Sequence, residues 1–192
     1  MSGRADEVMA TWSDGIGQPT LIGHSMGAQT VAEYVAGGPA RASRLVLVDP
    51  PFRAESEIES AGMAEIRPAI RAWLASFADM SIDEIAEIGR AQHGDWPAEE
   101  FPTWIESKTQ VRPEAAADLS GTPWSPTVRA FDCPTLLVHG DPGRGGIVTP
   151  AVARRVGELN DRVTVSAIDS AGHNIHREDF DRFIRVLRDW LA

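Results

Sequence analysis

Short apolar runs bounded by Gly and Pro alternate along this chain with longer stretches in which apolar positions recur every three or four residues. The runs are Thr20-Leu21-Ile22, Leu45-Val46-Leu47-Val48, Thr135-Leu136-Leu137-Val138 and Val163-Thr164-Val165. The middle two are apolar almost throughout, as strands buried on both faces require. Between the first two, Met26 to Ala36 predicts a helix stopped by Gly37-Gly38-Pro39, a C-cap followed by a breaker. Pro150 to Leu159 predicts a second, with Pro150 in its first turn. A last helix is expected from about Glu178 to Leu191, where Phe180, Phe183, Ile184, Leu187 and Leu191 fall at helical spacing and read as core. This rhythm predicts an α/β fold, a mostly parallel sheet covered by helices.

Residues 51–130 break the rhythm. Nothing there reads as a buried strand, whereas Ile66, Ile70, Trp73, Leu74 and Phe77 make one helical face and Ser81-Ile82-Asp83-Glu84 has the capping-box pattern. Four of the six Trp lie in this stretch: Trp73, Trp96, Trp104 and Trp124. The expected organisation is a core from residues 1–50 and 131–192 with a helical cap, 51–130, inserted between two strands. Residues 5–13, carrying Val8, Met9 and Trp12, read as a helix leading into the first strand.

The chemistry centres on Gly23-His24-Ser25-Met26-Gly27, which directly follows an apolar strand and directly opens a helix. A serine on so sharp a strand-to-helix turn is forced into a strained backbone conformation, so the residues two before and two after it are expected to lack side chains. The turn exposes the hydroxyl at a helix N-terminus, where backbone N–H groups and the helix dipole favour a developing oxyanion. Serine needs a base, and five histidines compete. His173, in Asp169-Ser170-Ala171-Gly172-His173-Asn174, follows the fourth strand and precedes the last helix. His176 shares the loop beside Glu178 and Asp179 and reads as a salt-bridging surface residue. His24 reads as packing beneath the turn, and His93 and His139 as structural.

The strand, pentapeptide and helix, with histidine after serine in chain order, resemble the α/β-hydrolase family from its nucleophile elbow to its C-terminus. The resemblance implies Ser25 as nucleophile, His173 as base and the Met26 N–H as an oxyanion donor. It leaves the acid open between two aspartates at the ends of strands. Asp141 follows the strand that most commonly supplies the acid, but the usual slot, three residues beyond the glycine, is Gly143 here. Asp49 ends the strand after the nucleophile, and its spacing of 24 residues from Ser25 resembles the branch that includes haloalkane dehalogenases and a fungal lactonase. That spacing tips the preference to Asp49 while Asp141 stays open. A serine in place of the carboxylate nucleophile of those dehalogenases implies acyl chemistry: hydrolysis of an ester, lactone or similar acyl bond of a small apolar substrate through an acyl-enzyme. Carbon–carbon bond hydrolysis, or a truncated non-catalytic ligand-binding relative, are the rival expectations.

Composition narrows the partners. The net charge of −10 and unclustered Lys and Arg argue against nucleic acid, and no apolar run reaches the roughly 18 residues of a membrane span. Cys133 is the lone cysteine, so no intrachain disulfide forms, and the N-terminus lacks the apolar core of a signal peptide. A cytoplasmic protein without metal or cofactor is expected, since the chain carries no H-E-x-x-H, Walker A or G-x-G-x-x-G signature. About 20 residues precede the elbow, and the resemblance provides no counterpart for the family's first four strands or for the loop that supplies its second oxyanion donor. The expectation is a fragment or an upstream gene start.

Overall fold

The computed structural model describes residues 17–54, 62–114 and 123–192, with the backbone alone for 62–67; the expected helix at 5–13 and the side chain of Ile66 lie outside them. The described elements run β1 (Thr20–His24), α1 (Met26–Ala36), β2 (Arg44–Val48), α2 (Gly62–Ser76), α3 (Ile82–Gln92), α4 (Phe101–Gln110), α5 (Trp124–Arg129), β3 (Thr135–Gly140), α6 (Pro150–Leu159), β4 (Val163–Ile168), α7 (Ile175–Glu178) and α8 (Phe180–Leu191). No helix among the described residues is long and apolar enough to cross a membrane.

The four strands pair in parallel in the order β1-β2-β3-β4, and each extends two or three residues past its apolar run or starts one before it. Ile22 stands opposite Val46, Val46 opposite Leu136, and Leu136 opposite Thr164. All six residues of β3 are buried, as are Leu45 to Val48 of β2. On one face Val46, Val48, Leu136 and Val138 join Ile168, Ile175 and Phe183, with Ile184, Val186, Leu187 and Trp190 of α8 packed against them. On the other, α1 packs on β1 and β2, and α5 lies against both α1 and α6. The flanking strands β1 and β4 are more open; Ile22 is half exposed. Phe180 departs from its expected place in the core at 57% exposure, because it stands at the first position of α8, ahead of the stretch that meets β2 and β3.

The chain divides into two compact units, Met1–Glu55 with Pro123–Ala192, and Ser56–Thr122. The division falls inside the expected 51–130 insertion, because both ends of that stretch belong with the sheet. Trp124 Nε1 donates to the Arg53 carbonyl at 2.6 Å and its ring stacks on Phe52 at 5.4 Å. Asn160 Nδ2 ties the Val128 and Phe131 carbonyls at 2.9 and 3.0 Å. The second unit has its own core of Phe77, Ile85, Trp96, Phe101 and Trp104. Its α3 starts with the full reciprocal capping box of Ser81 and Glu84. Trp96 and Trp104 are both buried in that core.

Leu47, fully buried in the interior strand β2, tests the assignment of the core. Leu47→Ala should cost about 2–5 kcal/mol of stability in urea unfolding, and a cost of about zero would contradict it.

Candidate active site

The turn between β1 and α1 places Ser25 at φ 54°, ψ −125°, a positive-φ conformation that costs a non-glycine residue about 1–3 kcal/mol. Three hydrogen bonds hold it there: Ser25 N–H donates to the Val48 carbonyl at 2.9 Å, and Ala28 and Gln29 N–H donate back to the Ser25 carbonyl at 3.0 and 3.2 Å. The turn closes so tightly that a Cβ on Gly23 would lie 2.5 Å from the Gly27 carbonyl oxygen and 2.7 Å from Ala28 N. Gly23 is therefore obligatory. Gly27 is not, contrary to the expectation of two forced glycines, since a Cβ there would meet nothing within 4 Å. The exposed Met26 opens α1, so its N–H belongs to the first turn, whose amides have no partner within the helix.

His173 lies in the loop between β4 and α7. Its Nε2 is 2.9 Å from Ser25 Oγ and its Nδ1 is 2.7 Å from Asp49 Oδ2. A carboxylate only accepts, so Nδ1 carries the proton and Nε2 is left as acceptor for the serine O–H. Asp49, just past β2, is fully buried and itself at φ 40°. Its Oδ2 also accepts from Ile147 N–H at 2.8 Å and its Oδ1 from Val148 N–H at 3.1 Å. The buried carboxylate is thus paired on both oxygens, as such a group must be.

Asp141 is not brought to His173. Its carboxylate accepts from Gly143 N–H at 2.8 Å and caps the short 3₁₀ turn Pro142–Arg144, while its carbonyl accepts from Arg144 and Gly146 N–H, both at 3.0 Å. The residue folds the loop whose far end supplies the Ile147 and Val148 amides to Asp49. These two amide donors are main-chain groups and carry no side-chain signal in the sequence.

The His173 loop is tied down on every side. Asp141 N–H donates to the Ala171 carbonyl at 2.7 Å, Gly172 N–H donates to Glu178 Oε2, and Asn174 N–H donates to Glu178 Oε1 at 3.1 Å. Ser170 Oγ donates to Asp179. Gly140 and Gly172 let the two loops touch, since a Cβ on Gly140 would lie 2.0 Å from the Gly172 carbonyl oxygen. Glu178 was not foreseen as part of this arrangement; its place in the first turn after His173 was the available signal.

Of the other histidines, His139 is buried with Nδ1 against the Gly140 carbonyl, and His93 stacks on Trp96 at 3.8 Å. His176 is not a salt-bridging surface residue: its ring packs edge-on against His24 at 4.8 Å and against Phe183 at 6.5 Å. Burial, with the neighbouring His24 and Arg177 adding to it, pushes its pKa down to about 4. His24 is lowered too, chiefly by burial, with its bond to the His173 main chain opposing.

A family model described as the alpha/beta hydrolase family matches residues 3–186. N-formylmaleamate deformylase of Pseudomonas putida is 30% identical over 187 residues, covering 89% of this chain and 62% of that protein, so the chain spans less than two thirds of this relative's length. The crystal structure of E-2-(acetamidomethylene)succinate hydrolase superposes over 99% of this chain and 72% of its own with a TM-score of 0.73 at 15% identity. MenH from S. aureus does so over 99% and 73%, with a TM-score of 0.73 at 22% identity.

The histidine environment has a measurable consequence. A histidine held neutral by burial takes up its proton less readily folded than unfolded, so its contribution is intact above the unfolded value of 6.5 and is lost as pH falls from there towards about 4. The urea midpoint should therefore drop across that window, and His176→Phe should flatten the drop. An unchanged slope in the variant would contradict this reading.

Proposed function

The chain belongs to the alpha/beta hydrolase family, and we propose that within it this protein is a serine hydrolase that cleaves an ester, lactone or similar acyl bond of a small molecule. The observation that carries the reading is the unbroken chain from Asp49 through His173 to Ser25, at 2.7 and 2.9 Å. Nucleophile, base and orienting carboxylate stand in the relation that activates a serine.

Ser25 Oγ attacks the acyl carbonyl carbon as His173 Nε2 takes its proton, and the buried Asp49 carboxylate, bonded to Nδ1, stabilises the imidazolium. The negative charge that develops on the carbonyl oxygen is met by the Met26 N–H at the positive end of α1. Collapse of the tetrahedral intermediate breaks the bond to the leaving group, which receives the proton from His173. A water then gives a proton to the same Nε2 and attacks the acyl-enzyme. The second collapse releases the acid and returns the proton to Ser25 Oγ.

Asp49 is the acid in this reading and Asp141 a loop-forming residue. The inserted unit, Ser56–Thr122, is read as the cap of the family pattern. A formamide in place of an ester is a second reading, favoured by the similarity to N-formylmaleamate deformylase.

Hydrolysis of p-nitrophenyl acetate tests the assignment. Ser25→Ala should abolish turnover, and Asp49→Asn should lower kcat by up to about 10⁴-fold, because the imidazole then loses the tautomer that leaves Nε2 free. Asp141→Asn should cost less than about tenfold, since an amide oxygen still accepts from Gly143. Equal losses in the two aspartate variants would contradict the acid assigned here. Formate release from N-formylmaleamate at a higher kcat/KM than ester cleavage would select the second reading.

A further inference from the structure

The residue beside the nucleophile reaches the main chain of the base. His24 Nε2 lies 2.9 Å from the carbonyl oxygen of His173, and its ring centroid is 4.7 Å from the His173 ring. A carbonyl oxygen only accepts, so His24 must carry its proton on Nε2 and donate it. Glu178 already holds the amides of Gly172 and Asn174, one on each side of His173. The bond from His24 adds the carbonyl of His173 itself, and it comes from the elbow instead of from the loop's own helix.

We infer that His24 is a positioning residue that keeps His173 in register with Ser25 while the serine is acylated. This rests on the serine-hydrolase reading above. Elbow and base loop are joined by two hydrogen bonds, and only one of them involves the reacting atoms. Once Ser25 Oγ is esterified it has no proton to donate, and its hydrogen bond to His173 Nε2 is lost. Asp49 still holds Nδ1, but the elbow's remaining hold on the base is the one from His24. At that stage Nε2 must accept a proton from an attacking water, and a displacement of about 1 Å can cost 10²-fold. The second half-reaction therefore depends on His24 more than the first. Burial lowers the pKa of His24 and so favours the neutral ring, which donates without adding a positive charge beside the base.

Packing and hydrogen bonding at this position make opposite demands on a substitute. His24→Phe keeps a ring between His173 and His176 and loses the donor; His24→Gln loses the ring and keeps an N–H at about the same reach. Stopped-flow hydrolysis of p-nitrophenyl acetate by the wild type and both variants reads the difference, with Ser25→Ala as the blank. In His24→Phe, kcat should fall roughly 10- to 100-fold while kcat/KM falls less than about threefold, with a nitrophenolate burst approaching one equivalent as acyl-enzyme accumulates. His24→Gln should restore kcat to within about threefold of wild type. A ranking with Phe above Gln, or equal bursts on a Ser25-dependent background, would overturn the role of His24 alone. Turnover that Ser25→Ala retains would overturn the serine reading and this role with it. Independently of any substrate, ¹⁵N-histidine spectra of the wild type should show His24 as the Nε2–H tautomer, and the Nδ1–H tautomer would refute the bond.

Discussion

The positive-φ backbone at Ser25 is the constraint on which the site depends. The conformation is unfavourable for a residue with a Cβ, and it persists because the surroundings over-determine it. The Ser25 amide extends the β1–β2 ladder by one bond to Val48, and the Ser25 carbonyl accepts the first bonds of α1. Gly23 removes the side chain that would otherwise strike the Gly27 carbonyl. Strand, turn and helix thus share one residue, and the hydroxyl is held at the C-terminal edge of the sheet and the N-terminal end of a helix. Asp49, after the neighbouring strand, likewise takes a positive φ, of 40°.

The parallel register then assembles the rest. His24 of β1 pairs with Val48 of β2, so the residues that follow each strand, Ser25 and Asp49, emerge side by side. Gly140 of β3 pairs with Ile168 of β4, which brings the loops after those strands together at the same edge. The β3 loop contributes no side chain to the constellation. It contributes the Ile147 and Val148 amides that hold the Asp49 carboxylate, and the β4 loop contributes His173. The segment that follows each of the four strands supplies one part, which is how open parallel sheets build sites outside their strand ends.

Legibility in the sequence followed how local each feature is. The strands, α1 and the elbow were readable because apolar runs, glycines and breakers act within a few residues. His173 was readable from its place between a strand and a helix. Which aspartate stands beside His173 was not, because Asp49 and Asp141 both follow strands and their placement depends on the path of residues 141–148 and its main-chain hydrogen bonds. Helical periodicity placed Phe180 in the core, yet periodicity does not report that the first turn of α8 lies ahead of the packed stretch. The lack of buried strands placed both Arg53 and Trp124 in the insertion, and their hydrogen bond belongs to the unit that holds the sheet. His24 and His176 were readable as histidines but not as a packed pair, since their contact spans 152 residues of chain and is made only by the fold.

Activation of Ser25 by His173 is open to mass mapping after treatment with a fluorophosphonate, because the reagent reports on an activated serine without requiring the right substrate. One phosphonyl adduct per chain is expected, on the peptide containing Ser25, and it should be lost in His173→Ala. Folded wild-type protein that takes up no adduct, or takes it up equally with and without His173, would rule out a serine activated by this histidine.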